Sequence, residues 1–219
     1  MEYIDEDRYR SLVKGATVLE SDGFGDKVLH LSDGNFIKLF RRKRLISSAA
    51  LWPYAQRFAS NARGLTKKGV PCPSIIGVYR QTQLQRDIVH YRPLAGLTLR
   101  QLRQPPQKCP KDLHNKLGSF IAQLHDSGIY FRSAHLGNIV LTPQGELGLI
   151  DIADLKIKRR SLGQWMRLRN LRHIFRDKQD RQWLQSHELG SFVEGYHQQS
   201  KNLEVSTLEK ALASAGQSA

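Results

Sequence analysis

Polar and apolar residues change their rhythm along this chain. Near the start, Val18-Leu19, Val28-Leu29-His30-Leu31 and Phe36-Ile37-Lys38-Leu39-Phe40 are brief apolar runs. They are separated by Ser21-Asp22-Gly23-Phe24-Gly25-Asp26 and Ser32-Asp33-Gly34-Asn35. Glycine- and aspartate-rich strings between short apolar runs close hairpins, so residues 16–40 predict a three-stranded antiparallel meander. Leu51, Tyr54, Phe58, Ala62 and Leu65 then recur at helical steps and predict a helix over 45–68. Pro53 marks its first turn or a break between two helices. Gly69-Val70-Pro71-Cys72-Pro73 ends it, and strands are predicted over 74–79 and 87–91. After Pro93-Leu94-Ala95-Gly96 the pattern turns helical. A short helix is predicted over 97–102 and a proline-bearing loop over 104–110. A strong amphipathic helix over 113–126 carries Leu117, Phe120, Ile121 and Leu124 and is stopped by Gly128. Two short strands, 139–141 and 147–150, flank the turn Thr142-Pro143-Gln144-Gly145. Residues 161–197 read as helices with Leu168, Leu171, Ile174 and Phe175 inward. The polar tail beyond Ser200 holds a short helix at 203–212, followed by disorder.

These elements divide the chain into a strand-rich segment 1–92, a helical segment 93–200 and a tail 201–219, an α+β organisation. The 219 residues, 40% of them hydrophobic, suit one compact domain or two small lobes. No apolar run approaches the roughly 18 residues of a membrane-spanning helix, and the acidic start Met-Glu-Tyr-Ile-Asp-Glu-Asp is no signal peptide. Cys72 and Cys109 are far apart and lack metal-ligand spacing, which fits a reducing, cytoplasmic setting. The net charge of +14 is clustered in Lys38/Arg41/Arg42/Lys43/Arg44, in Lys156/Lys158/Arg159/Arg160, and in Arg167/Arg169/Arg172/Arg176/Lys178/Arg181. Such clusters attract nucleic acid, an anionic membrane surface or a phosphorylated glycolipid, or simply form a solvated basic face.

Some of these residues carry candidate chemistry. Lys38 places an ammonium within an apolar strand, where it needs a partner such as a nucleotide phosphate, or else faces solvent at an edge. The Gly23-Phe24-Gly25 turn could bring backbone N–H groups to phosphates, although a tight hairpin is the commoner meaning of such a string. Asn138 and Asp151 lie thirteen residues apart with a hairpin between them. One amide oxygen and one carboxylate, with phosphates and water, suffice for a magnesium ion; the alternative for Asp151 is a turn-capping role. Asp154 is a spare carboxylate nearby, expected to cap a turn, and His125 reads as structural.

The order of elements, with Ile37-Lys38-Leu39-Phe40, Gly69-Val70-Pro71-Cys72-Pro73, Leu124-His125-Asp126-Ser127-Gly128-Ile129, the Asn138 loop and Leu149-Ile150-Asp151, resembles the protein-kinase-like fold. Within that superfamily it is similar to the bacterial lipopolysaccharide core kinases, which phosphorylate heptose or Kdo sugars, and to the toluene tolerance proteins. Arg169-Asn170-Leu171-Arg172-His173, Trp183-Leu184 and Gly195-Tyr196 look like that group's C-terminal helices. The resemblance implies a small antiparallel β lobe and a mainly helical lobe, with ATP near Tyr91 and its phosphates at Lys38 and Gly23-Phe24-Gly25. It implies magnesium on Asn138 and Asp151, and an anionic glycolipid on the basic clusters. Two positions depart from the pattern. The loop carboxylate that meets the acceptor hydroxyl is replaced by Ser133, which leaves Ser133, His135 and the neighbouring Arg132 as the acceptor-side candidates. No Asp or Glu occurs from Leu45 to Gln85, so only a neutral oxygen from Asn61 or Gln56 could support Lys38. The resemblance is therefore compatible with an active kinase or with a pseudokinase scaffold. A nucleic-acid-binding role would explain the charge but not the Asn138–Asp151 arrangement.

Overall fold

The computed structural model describes residues 1–42, 52–105, 107, 109–187 and 189–214. The chain forms two compact units, Met1–Leu94 and Ala95–Ala219, with the boundary two residues beyond the expected one. The architecture is α+β, with a sheet unit followed by a mainly helical unit.

In the first unit, β2 (Thr17–Asp22), β3 (Gly25–His30) and β4 (Phe36–Arg41) form the meander that the apolar runs predict. β6 (Arg86–Arg92) pairs with β4, and β5 (Ser74–Gln81) pairs with β6, all antiparallel. The first fifteen residues add what the pattern did not predict. β1 (Glu2–Tyr3) joins the sheet parallel to β5, giving the order β1-β5-β6-β4-β3-β2, and α1 spans Glu6–Leu12. That helix begins at Asp5, whose carboxylate accepts the Arg8 N–H at 2.8 Å.

The period-two alternation of β4 sorts its side chains onto two faces. Ile37 and Leu39 are buried with Ile4, Leu29, Leu31 and Ile88, and Tyr9, Leu12 and Val13 pack against them. The segment around α1 therefore covers this face. The other face carries Phe36, Lys38 and Phe40 and meets α2 (Tyr54–Lys67), where Phe58 lies 5.3 Å from Tyr91 and 6.4 Å from Phe40, centroid to centroid. Pro53 precedes α2 as its N-cap; the earlier part of the expected helix, 45–51, lies outside the described residues.

In the second unit, β7 (Leu97–Thr98) leads into α3 (Leu99–Leu102), which opens with a capping box between Thr98 and Gln101. α4 (Leu113–Asp126) is followed by β8 (Ile129–Tyr130), the hairpin β9 (Ile139–Leu141) and β10 (Leu147–Leu149), and β11 (Lys156–Ile157). β7, β9 and β10 form one small sheet, and β8 and β11 form another. Helices α5 (Gln164–Ile174), α6 (Lys178–His187), α7 (Leu189–Gln199) and α8 (Val205–Ser214) complete the unit. The short helix expected at 203–212 is present as α8. Leu208, Ala211 and Leu212 are buried because their helical spacing gives it an apolar face, and Leu203 is buried just before it.

Helices α4 and α7 approach with their backbones in contact. A methyl group on Gly118 would stand 2.0 Å from the Phe192 carbonyl oxygen, and one on Gly195 would stand 2.0 Å from that of Asn115. Backbone atoms cannot yield as side-chain ends do, so the two helices would have to separate. Gly195→Ala is expected to destabilise the protein by about 3 kcal/mol, measured as a lower urea midpoint; an unchanged midpoint would show that the helices move apart freely.

Candidate functional site

The first unit carries the residues expected to meet a nucleotide. Gly23 and Phe24 form a two-residue turn in which Asp22 pairs with Gly25 and the Phe24 N–H donates to Asp22 Oδ1 at 2.8 Å. Gly25 sits at φ 107°, a backbone conformation that suits glycine. The turn is fastened to the sheet from below. The Arg41 guanidinium stacks on the Phe24 ring at 3.8 Å, and Arg86 donates to the Phe24 carbonyl. Lys38 is half-buried between the registers of Val28 and Val89, with its ammonium 5.8 Å from the Phe40 ring centroid. Tyr91 is buried in the aromatic cluster, 5.8 Å from Phe36 and 5.3 Å from Phe58. Of the two neutral candidates to support Lys38, Asn61 lies on the buried face of α2, on the side where Phe58 meets the sheet. Gln56 lines a separate hollow with Trp52, Arg63 and Val78.

The second unit carries the loop and the hairpin. Phe131 through Asn138 forms a knot of backbone bonds: Ala134 N–H to Phe131 C=O at 3.2 Å, and Asn138 N–H to His135 C=O at 2.9 Å. The Asn138 side chain, 8% exposed, donates through Nδ2 to the Ser133 carbonyl at 2.9 Å. That bond commits the amide NH₂ to the loop and leaves Oδ1 as the atom that can face a cation. The hairpin fixes where Asp151 emerges. Ile139 pairs with Leu149, and the Ile150 N–H donates to the Asn138 carbonyl at 3.0 Å, so Asp151 follows the residue bonded to Asn138. Asp151 is exposed and adopts the left-handed conformation, φ 52° and ψ 47°. That conformation costs a non-glycine residue about 1 kcal/mol and is concentrated at functional sites. Asp151 stands at the N-cap position of the turn Ile152–Asp154 without a side-chain capping bond to it. Asn138 and Asp151 offer an amide oxygen and a carboxylate, ligand types that a hard cation takes together with phosphate and water oxygens.

Ser133 is half-buried, and its hydroxyl donates to Asp154 Oδ2 at 2.7 Å. Asp154, expected as a turn cap, therefore serves a different purpose. His135 is half-buried, and its Nδ1 has no hydrogen-bond partner among the described residues. Burial, and then the positive charge of Arg100, push its pKa below the usual histidine value, which keeps the ring neutral near pH 7. Arg132 is exposed.

Two anchors of this loop were not anticipated from sequence. Asp180, with no exposed side-chain surface, accepts from Arg100 Nη2 at 2.8 Å, Arg103 Nη1 at 3.2 Å and the Leu136 N–H at 3.2 Å. It ties the loop to α3 and α6. The available signal was its position four residues before the buried Leu184, on the same helical face, within a segment read as basic. The second anchor is Arg167, counted from sequence within a basic surface cluster but fully buried. It pairs with Asp126 at 2.6 Å, because an interior guanidinium requires a carboxylate and acceptors around it.

From Arg167 a directed chain of bonds leads back to the loop. Arg167 Nη1 donates to the Tyr196 oxygen at 3.2 Å, and the Tyr196 hydroxyl donates to His125 Nδ1 at 2.9 Å. His125 Nε2–H donates to Asn170 Oδ1 at 3.2 Å, and Asn170 Nδ2 donates to the Phe131 carbonyl at 2.6 Å. His125 must be neutral to accept from Tyr196. Burial pushes its pKa from 6.5 to about 3.

No protein-family model and no curated protein matches this chain. Among solved structures, the bifunctional kinase-methyltransferase WbdD is similar at 13% identity, with a TM-score of 0.47 over 85% of this chain and 46% of that one. A structure of WbdD with a kinase inhibitor gives 13% identity and a TM-score of 0.48 over 85% of this chain and 47% of that one. The chain thus spans about half the length of these proteins. Likeness of this degree does not extend to activity or substrate.

The His125 chain generates a pH dependence. Its folded-state pKa lies below the unfolded value, so the stabilisation is present above pH 6.5 and declines as pH falls toward about 3, where the folded form also takes the proton. Unfolding free energy is expected to drop by about 2 kcal/mol from this group between neutral pH and about pH 5, at about 1.4 kcal/mol per unit. Urea titrations of wild type and His125→Gln across that range measure it; the variant should lose this component of the slope.

Proposed function

We propose that this protein is an ATP- and magnesium-dependent phosphotransferase whose acceptor is a hydroxyl of an anionic sugar, of the lipopolysaccharide-core class. The observation that carries the reading is the Asn138 clamp on the Ser133 carbonyl, with Asp151 held left-handed just beyond the paired hairpin. A strained acidic residue beside a buried amide whose NH₂ is already committed is an arrangement suited to a hard cation on phosphate. In this reading Asn138 and Asp151 hold magnesium, and the ion neutralises charge on the transferred phosphoryl group. Lys38 and the 23–25 turn are the first unit's candidate phosphate contacts, and Tyr91 belongs to the aromatic cluster behind them.

The acceptor side favours an anion. Burial, followed by the charges of Arg132, Arg169 and Arg176, depresses the pKa of His173, so these three arginines act together near the Ser133 loop. Lys156, Lys158, Arg159 and Arg160 are exposed along and after β11, whose partner β8 leads directly into the loop. A phosphorylated glycolipid matches that charge, and the likeness to lipopolysaccharide core kinases supplies the sugar class. No described helix is long and apolar enough to cross a membrane, so contact with a lipid-linked acceptor would occur through this basic surface.

A second reading, a nucleotide-binding pseudokinase that acts as a scaffold, is favoured by the acid-free α2 and by Ser133. Thermal-shift titration with ATP and magnesium tests the nucleotide site. Wild type is expected to show a magnesium-dependent rise in Tm, and Asp151→Ala to lose the magnesium dependence while folding normally. Absence of any magnesium-dependent shift in wild type would falsify the reading. Transfer of labelled phosphate from ATP to core oligosaccharide then separates the enzyme from the scaffold.

A further inference from the structure

The loop position that should carry a carboxylate carries Ser133, yet a carboxylate is there. Asp154 closes the turn Ile152–Asp154, whose Ile152 and Ala153 are buried and fix its course. That course brings Asp154 Oδ2 to 2.7 Å from Ser133 Oγ, across twenty-one residues of sequence. Its other oxygen, Oδ1, is buried and has no hydrogen-bond partner among the described residues. Leaving a buried carboxylate oxygen without a donor is costly and needs a reason. The backbone of Ser133 is held as firmly. Its carbonyl accepts from Asn138 Nδ2 at 2.9 Å and from the His135 N–H at 2.9 Å.

A serine hydroxyl has one proton and two lone pairs. Here the single proton is committed to Asp154, so toward any third group Ser133 Oγ can only accept. An alcohol presented to the loop must therefore donate its own proton to Ser133, which turns the alcohol's lone pairs outward for attack. We propose that Ser133 and Asp154 together replace the missing loop carboxylate, with Asp154 as the positioning residue that acts through Ser133. The proposal rests on the phosphotransferase reading above. As the acceptor oxygen bonds to the γ-phosphorus of the nucleoside triphosphate, the bond from phosphorus to the bridging oxygen breaks, and its electron pair leaves on the β-phosphate of the diphosphate. The acceptor's proton passes to Ser133 Oγ while Ser133's proton passes to Asp154 Oδ2, and from there to solvent. A loose phosphoryl-transfer transition state needs little base strength, so a relayed carboxylate is sufficient.

The experiment uses the full-length chain, Mg-ATP and core oligosaccharide released from lipopolysaccharide. Asp154→Asn keeps an oxygen for the Ser133 hydroxyl but removes the charge. It should lower kcat about 100-fold with KM for ATP nearly unchanged, and it should leave the Mg-ATP thermal shift intact. Ser133→Ala should fall by a similar factor, and S133A/D154N no further, because the two act as a unit. S133D/D154N returns the carboxylate to the loop and should recover at least about tenfold over Asp154→Asn. An Asp154→Asn enzyme within about threefold of wild-type kcat, or additive losses in the double variant, overturns the pair while leaving the nucleotide site standing. A wild type that binds Mg-ATP without transferring phosphate, while Ser133→Asp gains transfer, also overturns it. A wild type with no Mg-ATP shift overturns the underlying reading instead, and the pair with it.

Discussion

The protonation state of one buried imidazole underlies the geometry of the candidate site. His125 has no solvent-exposed surface and stands in the middle of a chain of hydrogen bonds that runs in one direction, from Arg167 through Tyr196, His125 and Asn170 to the carbonyl of Phe131. Each member has its donor and acceptor roles dictated by the one before it. The guanidinium can only donate, so Tyr196 must accept from it and pass its own hydroxyl proton on. A neutral His125 is the only form that can receive that proton and still donate from its other nitrogen. Burial secures the neutral form, and the charge at the head of the chain is compensated by Asp126. The helices α4, α5 and α7 are thereby joined through polar groups that are satisfied only in this one packing, and the loop begins where the chain ends.

From Phe131 onward, local bonds carry the order forward. Asp180 holds the Leu136 N–H and two arginines, Asn138 holds Ser133, and the β9–β10 ladder passes from Asn138 to Ile150. The positions of Asn138, Ser133 and Asp151 are therefore dictated by backbone bonds rather than by side-chain packing alone. Asp151 is left with a conformation that sterics disfavour, and the surrounding bonds over-determine it. Such strain is tolerable here because the hairpin before it and the buried Ile152 and Ala153 after it hold both ends.

The first unit solves a different problem. Its sheet is covered on both faces at the central strands β4 and β6, on one through α1 and on the other through α2, and Lys38 lies on the face of α2 among aromatic rings. That helix carries no acid, and the ammonium stands 5.8 Å from the Phe40 ring centroid in a half-buried setting. The glycine turn is drawn onto the sheet by Arg41 and Arg86, so part of what reads as a basic cluster in sequence is engaged in holding a hairpin.

Elements with a strong hydrophobic period could be read before any packing was known. The helix at Leu113–Asp126 and the strands around Lys38 were legible because three- and four-residue steps and short alternating runs each have one structural solution. The hairpin that follows Asn138 and precedes Asp151 was legible from its turn signal. The first fifteen residues were not legible. β1 is two residues long, and α1 contains no buried residue; its Tyr9 and Leu12 matter only once the sheet offers them a face. The buried arginine and the two aspartates of the loop were also beyond the sequence. Asp154 reads as a turn residue, and Asp180 and Arg167 as parts of charged stretches, until the tertiary structure brings each to a partner far along the chain. Hydrophobic period reports which residues leave water. It does not report which buried charge meets which, because that depends on chain segments whose approach is set only when the whole unit packs.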